Sequence, residues 1–595
     1  MNKLALIDGR NLYYAFKAGA GKIIDHQTEI NKLNVFPVSD HDTGTNLAST
    51  IRSILENWLP DRSYKISVNA MAEAAMYGAR GNSGIIFAQF LYGVSAETTN
   101  TGKISIAEFA QSLKSSIKYM YEAMSNPVEG TMLSVIRDWA DYIYENRHAT
   151  DFKQLLIESL ETAKKSLENT KNQLQVLATN NVVDAGGKGF VLFVEGIIEL
   201  LKTNNVRSLS NYSASAIQLD ELHEHDDEVI THRYCTEALI KNCHADKTHI
   251  ANILNQFGNS IVVAGSDKLR RIHVHTNTPA ELFQKLKNVG TLSFQKAEDM
   301  VRQHDAAYNR KWNIALLTDS TCDLTDELID KYQIQMLPIG IQFGESMYLD
   351  NITLKSETFF EMFGKETKNP STTQINQKAF ENVYSHLASH YDAIIAVHIS
   401  DQLSGTCGNS AKAAQKISAE FNKPITVINS KSLSGMLGLV LVDIAKNIEF
   451  GLPYEKIIEL AQQRIQKSRI YVSVKTLKYM VRGGRVSPLK GFIAKLLNLK
   501  PIISVDENGK AINYDKTFSQ RANLKKIMSH VKEFSKNGEI EEYIITHAAN
   551  PKGVAFIKTK LVELTGKEPL LVTNISPAIG INAGLGAVSV SVTLK

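Results

Sequence analysis

The sequence predicts a multidomain protein with an all-α N-terminal domain, a small α/β middle domain and a larger α/β C-terminal domain. Three observations predict it. Through the first two hundred residues apolar side chains recur at helical spacing, separated by short loops rich in Gly, Asp, Asn and Ser. A polar stretch over 203–228 then interrupts that pattern and reads as a linker. From Asn313 onward short β-rich runs alternate with helical stretches, which predicts α/β structure with largely parallel strands. The length of 595 residues fits three or four domains at about 150 residues each. The expected boundaries are 1–205, 206–311 and 312–595.

In the first domain Ser105 and Glu108 form a capping box ahead of the stripe Ile106, Phe109, Leu113, Ile117, Met120 and Met124. Met132, Val135, Ile136, Trp139 and Ile143 make a second stripe, and Phe152, Leu155, Leu156, Ala163 and Leu167 a third. The chemistry of such a bundle belongs on its connecting loops. In the middle domain strands are expected near 233–240, 260–264 and 271–275. In the last domain they are expected at 314–318, 336–343, 393–399, 425–428, 470–474, 543–547 and 570–574.

Composition narrows the function classes. An apolar fraction of 43% with 22% charged residues excludes wholesale disorder, and a net charge of +4 over this length argues against a nucleic-acid partner. Asp8 and Arg10 fall too early for a signal-peptide core. The longest apolar runs, at 84–96, 189–201 and 433–445, fall short of the roughly 18 residues of a membrane span, so at most transient membrane contact is expected. Four scattered cysteines make no disulfide framework, which points to the reducing cytoplasm.

The sharpest N-terminal motif is Asn34-Val35-Phe36-Pro37-Val38-Ser39-Asp40-His41-Asp42-Thr43-Gly44-Thr45-Asn46. Magnesium takes carboxylate and phosphate oxygens, and two closely spaced aspartates can share it. The following Thr-Gly-Thr-Asn puts hydroxyls and unhindered N–H groups at an expected helix start, a surface suited to phosphate. A plain Asp-x-Asp-x-Gly turn capping a helix is the competing reading of this motif alone. Three more small-residue loops weigh against it: Gly78-Ala79-Arg80-Gly81-Asn82-Ser83-Gly84, Pro127-Val128-Glu129-Gly130-Thr131-Met132 and Val183-Asp184-Ala185-Gly186-Gly187-Lys188-Gly189.

In the middle domain, His273-Val274-His275 on a strand would point both imidazoles the same way, and Cys235 can add a thiolate to make a three-ligand zinc site. Solvated surface histidines are the competing reading, since half of the sixteen histidines lie between His223 and His304. The C-terminal half carries small-hydroxyl motifs at strand ends: Thr318-Asp319-Ser320-Thr321-Cys322-Asp323, Ser371-Thr372-Thr373-Gln374 and Leu403-Ser404-Gly405-Thr406. The first reads chiefly as a helix cap. The others suit a carboxylate or phosphate, with Arg482-Gly483-Gly484-Arg485 adding cations and Asn582-Ala583-Gly584-Leu585-Gly586-Ala587 a glycine-rich turn.

The N-terminal motifs resemble the nucleotide-binding L subunit of dihydroxyacetone kinases and, more closely, the kinase domain of bacterial fatty acid kinases, over residues 1–205. The opening Asp8-Gly9 and Ala18-Gly19-Ala20 belong to the likeness. The resemblance implies an eight-helix barrel that holds ATP through Mg²⁺, with Asp40 and Asp42 as metal ligands and catalytic positions, and Asn34 as a weaker third candidate. It implies that Thr43, Gly44, Thr45, Asn46, Gly81, Asn82, Ser83, Gly84, Gly130, Thr131, Asp184 and Gly186 surround the nucleotide. One departure is His41, where the family has Gly between the aspartates. The segment 270–279 resembles the middle domain of fatty acid kinases, which implies Zn²⁺ on Cys235, His273 and His275.

Residues 313–595 resemble the DegV family of fatty-acid-binding proteins, through Asp319-Ser320-Thr321, Phe343-Gly344-Glu345-Ser346-Met347-Tyr348-Leu349-Asp350, Leu403-Ser404-Gly405-Thr406, Gly483-Gly484-Arg485 and Leu497-Asn498-Leu499-Lys500-Pro501. This implies two α/β lobes enclosing an acyl chain, with Thr372 or Thr373, Ser404 and Gly405 at the carboxylate and Arg485 nearby. Where the family has a carboxylate-binding histidine, this chain has Asn582, which donates a hydrogen bond but carries no charge. Together the resemblances imply an ATP-dependent phosphotransferase that converts a bound fatty acid to an acyl phosphate, kinase and carrier in one chain. A homodimer and a downstream acyl-phosphate acyltransferase are the implied protein partners. The alternatives are a kinase of a small dihydroxyacetone-like acceptor and a non-catalytic lipid-binding regulator.

Overall fold

The computed structural model describes residues 3–36, 42–99, 102–124, 126–203, 230–363, 369–485 and 499–595, which form two compact units. The first comprises Met1–Asn277 and Lys285–Thr291, the second Thr278–Gln284 and Leu292–Lys595. The expected linker over 203–228 lies, from residue 204 on, outside the described residues. Among the described residues no helix is long and apolar enough to cross a membrane.

Among the described residues eight helices of 14 residues or more build the N-terminal part of the first unit: Gly9–Asp25, Thr43–Asn57, Tyr64–Gly78, Gly81–Glu97, Ile106–Ala123, Met132–Glu145, Phe152–Gln173 and Ala185–Thr203. Local chemistry starts several of them. Asp8 and Asn11 cap the first helix reciprocally, and Ser105 with Glu108 forms the expected capping box. The ring closes where the first helix packs on the last. There Ala18-Gly19-Ala20 meets Phe193 and Gly196; a Cβ on Gly196 would lie 2.4 Å from the Ala18 carbonyl oxygen. Only hydrogen at that position lets the two helix backbones approach so closely. Phe16, Trp58, Phe87 and Phe193 meet edge-to-face or stacked inside the ring.

The expected middle strands form, the first shifted by one residue and the other two each three residues longer than read: Tyr234–Lys241, Gly258–Gly265 and Leu269–Thr276. Leu269–Thr276 pairs antiparallel with both of the others. They share a core with the helices: Val262 and Ala264 sit in the same apolar cluster as the bundle, Val262 bridges to Met124, and Gln89 accepts the Gly265 N–H.

The second unit holds a four-stranded parallel sheet in the order Ile425–Asn429, Ala393–His398, Ile314–Asp319, Gln335–Leu337. It also holds a six-stranded sheet ordered Ala511–Thr517, Lys500–Val505, Ser468–Ser473, Val588–Leu594, Ile540–His547, Leu571–Asn574. The expectation of largely parallel strands holds for the first sheet and fails for the second, where only the last pair is parallel. Two of its four antiparallel pairings come from Val588–Leu594, which enters the middle of the sheet antiparallel to both neighbours and is buried on both faces. Burial on both faces erases the alternation that separates the two pairings in sequence. The single run expected at 336–343 is likewise two strands. Gln335–Leu337 ends before Pro338, which has no N–H for the ladder, and Gly340–Phe343 starts a separate three-stranded sheet with Ser346–Leu349 and Ser371–Thr373.

Candidate functional sites

Four helices of the first unit begin at the four loops singled out in the sequence: Thr43–Asn57, Gly81–Glu97, Met132–Glu145 and Ala185–Thr203. The structure brings these starts together. Asp42 Oδ2 accepts from Asn46 Nδ2 at 2.6 Å, and Gly81, in a left-handed conformation at φ +58°, lies so close that a Cβ would be 2.5 Å from that same nitrogen. Ser83 Oγ would lie 2.9 Å from a Cβ on Gly186, and Met132 Cβ 3.2 Å from it. Converging helix N-termini concentrate partial positive charge, which suits a polyphosphate.

Not every expected contact residue faces outward. Thr45 is held by the neighbouring helix Gln27–Lys32: its N–H donates to Asn31 Oδ1 at 3.1 Å and its hydroxyl accepts from Asn31 Nδ2 at 3.0 Å. Gly44 is required there, because a Cβ would sit 2.1 Å from the Gln27 carbonyl oxygen. Buried Asn34 accepts the Thr43 hydroxyl at 2.9 Å. Gly84 passes Thr50, whose hydroxyl accepts from Arg80 N at 3.0 Å. Gly130, at φ +80°, donates its N–H to Ser134 Oγ at 2.8 Å, and Thr131 caps its helix through Leu133 N. Asp184 is buried ahead of Ala185–Thr203 and accepts the Gly187 N–H at 2.7 Å; burial raises its carboxyl to about 6 against that bond. Asn82 has a buried Oδ1 with no hydrogen-bond partner. Asp40 and His41 lie outside the described residues.

On the middle strands Cys235 lies opposite His275, and Glu237 opposite His273. Their alternation puts the ligand atoms of Cys235, His273 and His275 within 4.8 Å of one another, as the strand spacing predicts. The residues fit a metal ion. His273 Nε2 is buried without a hydrogen-bond partner. Burial, with His273 beside it, pushes the His275 imidazole down to about 3, so the ring is neutral and its lone pair is available.

In the second unit a cavity with about 950 Å³ of empty space, its mouth included, lies at the carboxyl ends of the parallel strands. Its walls are apolar, with Ile399, Leu403, Ile470, Val472, Ile503 and Val588 among them. Polar groups are few, as in most small-molecule sites. Thr372, Ser404, Arg485 and Asn582 are four of them. Thr373 is turned toward Gly340 and Gly405 forms the N-cap of Thr406–Phe421 against Gln374; neither lines the cavity.

Three buried carboxylates without an assigned role stand behind this cavity. Asp319 accepts from Ile399 N at 3.0 Å and lies 3.2 Å from His398 Nδ1; burial raises its carboxyl, and the bonds to His398, Thr321 and Ile399 outweigh it and hold it low. Asp323 accepts from Ser576 N at 2.8 Å and from the Ser434 hydroxyl, and Asp350 from Ser320 Oγ at 2.6 Å and Ala578 N at 2.9 Å. Burial pushes these two up to about 7 and about 8. All three lie within motifs visible in the sequence; their partners, far away along the chain, give them their work. The first motif forms a short 3-10 turn, Ser320–Cys322, with Asp319 as its cap.

Three family models match the chain in succession. The DAK2 domain family matches residues 37–199, the FakA-like middle domain of fatty acid kinases matches 231–307, and the DegV family of uncharacterised proteins matches 313–595. An uncharacterised protein of Staphylococcus saprophyticus is 31% identical over 383 residues, covering 62% of this chain and 67% of that one. An uncharacterised protein of Staphylococcus epidermidis is 33% identical over 316 residues, covering 51% of this chain and 56% of that one, so the chain spans little more than half of its length. Among solved structures, DegV of Bacillus subtilis, described as a fatty acid binding protein, matches with a TM-score of 0.44 at 27% identity, covering 48% of this chain and 100% of that one.

Proposed function

The chain belongs to the FakA-like fatty acid kinase family, with a DegV domain on the same polypeptide, and on that premise we propose that it phosphorylates a bound fatty acid at the expense of ATP. The observation that carries the reading is the pairing, in one chain, of a cluster of four helix N-termini beside Asp42 with an apolar cavity that ends in a few polar groups. The first suits a magnesium nucleotide, the second a fatty acid.

Asp40 and Asp42 would hold magnesium, and the partial positive charge at the starts of the four helices would favour the phosphates. Magnesium, when bound, neutralises charge that develops during transfer. Thr372, Ser404, Arg485 and Asn582 orient the fatty-acid carboxylate. Its oxygen attacks the γ-phosphorus, the bond to the β–γ bridging oxygen breaks, and ADP leaves with that electron pair. A carboxylate is already a nucleophile, so no general base is needed and the work is positioning. Cys235, His273 and His275 would hold zinc, which as a Lewis acid can polarise a bound oxygen. Tethering gives a local carrier concentration of roughly millimolar where the linkers span the distance.

Hydroxylamine trapping tests the reading: the purified chain with MgATP and oleate gives a fatty hydroxamate by mass spectrometry, dependent on both ATP and magnesium. No hydroxamate from protein that still holds lipid supports the second reading, a lipid-binding regulator, which Asn582 favours by leaving the cavity without the family's histidine.

A further inference from the structure

The metal site and the turn that starts helix Gly81–Glu97 are joined by one buried side chain. Glu237 is completely buried, as is Arg271, with which it forms an ion pair across adjacent strands. Its Oε1 accepts the Gly81 N–H at 3.0 Å and lies 3.6 Å from His273 Nδ1. Arg271 donates to the Tyr77 carbonyl at 3.2 Å. The two side chains therefore grip both ends of the turn over 78–81, the Tyr77 carbonyl on one side and the Gly81 amide on the other. Gly81 in turn abuts Asn46, and Asn46 donates to Asp42 at 2.6 Å.

We propose that Glu237 is a positioning residue that makes nucleotide affinity depend on the metal: filling the site at Cys235, His273 and His275 fixes the His273 ring, and through Glu237 fixes the Gly81 amide and the Asn46–Asp42 pair behind it. His273 Nδ1, the nitrogen that faces Glu237, also lies 4.0 Å from Cys235 Sγ, and Nε2 is buried without a hydrogen-bond partner. A ring that gives Nε2 to a metal keeps Nδ1–H for the carboxylate facing it, the usual way in which an outer acid orients a metal-bound histidine. Here the same oxygen also carries a backbone amide of the proposed phosphate site. Without metal the ring can turn, its 3.6 Å approach to Glu237 is not held, and the Gly81 turn loosens. The proposal rests on the nucleotide reading of the helical bundle and adds to it a dependence that neither site has alone.

Because coupling between two ligands is reciprocal, it can be read without turnover. The full-length chain is stripped of metal, reloaded with Zn²⁺, and titrated with MgATP by calorimetry in both states. Zinc is expected to tighten MgATP about tenfold, and MgATP to tighten zinc by the same factor in a chelator competition. Glu237→Gln is expected to bring that factor to within about twofold while the chain still binds each ligand. An unchanged factor in Glu237→Gln, or zinc-independent MgATP binding by the unaltered chain, overturns the coupling and leaves the nucleotide site standing. No MgATP binding in either state overturns the nucleotide reading, and the coupling with it. Should Glu237→Gln fail to fold because Arg271 loses its counter-charge, hydrogen exchange of the unaltered chain decides. Slower exchange confined to 77–84 and 42–46 on adding zinc supports the proposal; no change there, or uniform slowing across the unit, overturns it.

Discussion

The two candidate sites are made of different materials. In the helical bundle the site is chiefly backbone: helix starts drawn together at Gly44, Gly81 and Gly186, where a Cβ would collide with a neighbour. Several of its hydroxyls are already occupied, with Thr43 on Asn34 and Thr45 on Asn31. In the second unit the site is chiefly side chain, an apolar cavity closed by a few polar tips and braced from behind by buried acids. A backbone site recognises charge and tolerates little added volume. A side-chain cavity recognises shape, and single polar changes at its rim alter it by degrees.

That contrast can be broken most sharply at Asp42. Asp42→Ala, and Asp40→Ala beside it, are expected to lower acyl phosphate formation by about 10²–10³-fold while fatty-acid binding persists. Loss of lipid in the same variants would mean the two sites are not separate.

The next effect is on stability against pH. Asp350 and Asp323 have carboxyls raised above the ordinary unfolded value, so the folded chain binds protons that the unfolded chain has lost. Their contribution is complete below about 4, the unfolded range, and is lost as pH rises through about 7 and about 8. Denaturant titrations of the second unit's transition in the full-length chain should show these two groups losing about 7 kcal/mol between pH 5 and pH 9. Asp350→Asn, which keeps the shape and cannot ionise, should flatten that slope.

Gly44→Ala should destabilise the first unit by about 1–3 kcal/mol, since the neighbour it meets is a carbonyl oxygen and cannot turn aside. Thermal unfolding measures it. Gly484, which has open space around it, sharpens the comparison by its strain alone, at φ +70°. Filling the cavity with Val472→Trp should weaken fatty-acid binding about tenfold, near 1.4 kcal/mol, with MgATP affinity unchanged. The smallest effect is expected of Asn582→His, which returns a titratable donor to the rim: fatty-acid affinity should rise a few-fold below about pH 6.5, where imidazole is charged, and be unchanged above it.

Local signals were the readable part. The capping box at Ser105, the helical stripes and the middle strands depend on neighbours within a few residues, and they form close to where the spacing puts them. The metal cluster was half legible: His273 and His275 share a strand face by alternation, whereas Cys235 joins them only because its strand pairs in the register that sets it opposite His275. Thr372 and Thr373 could not be told apart until the strand Ser371–Thr373 turned one to the cavity and the other to Gly340. Asp319, Asp323 and Asp350 stood in recognised motifs without a function, because an acid's role is set by what surrounds it.

By itself, then, the sequence determined which segments are helices and strands, where polar loops interrupt them, and which residues carry ligand-type chemistry. Those properties follow from spacing along the chain. Tertiary structure alone decided the antiparallel order of the six-stranded sheet, the meeting of four helix starts, and the burial of Glu237 and Arg271 between metal site and glycine turn. Each of these brings together groups far apart in sequence, and their free energies depend on distance and burial in space, which no local pattern encodes.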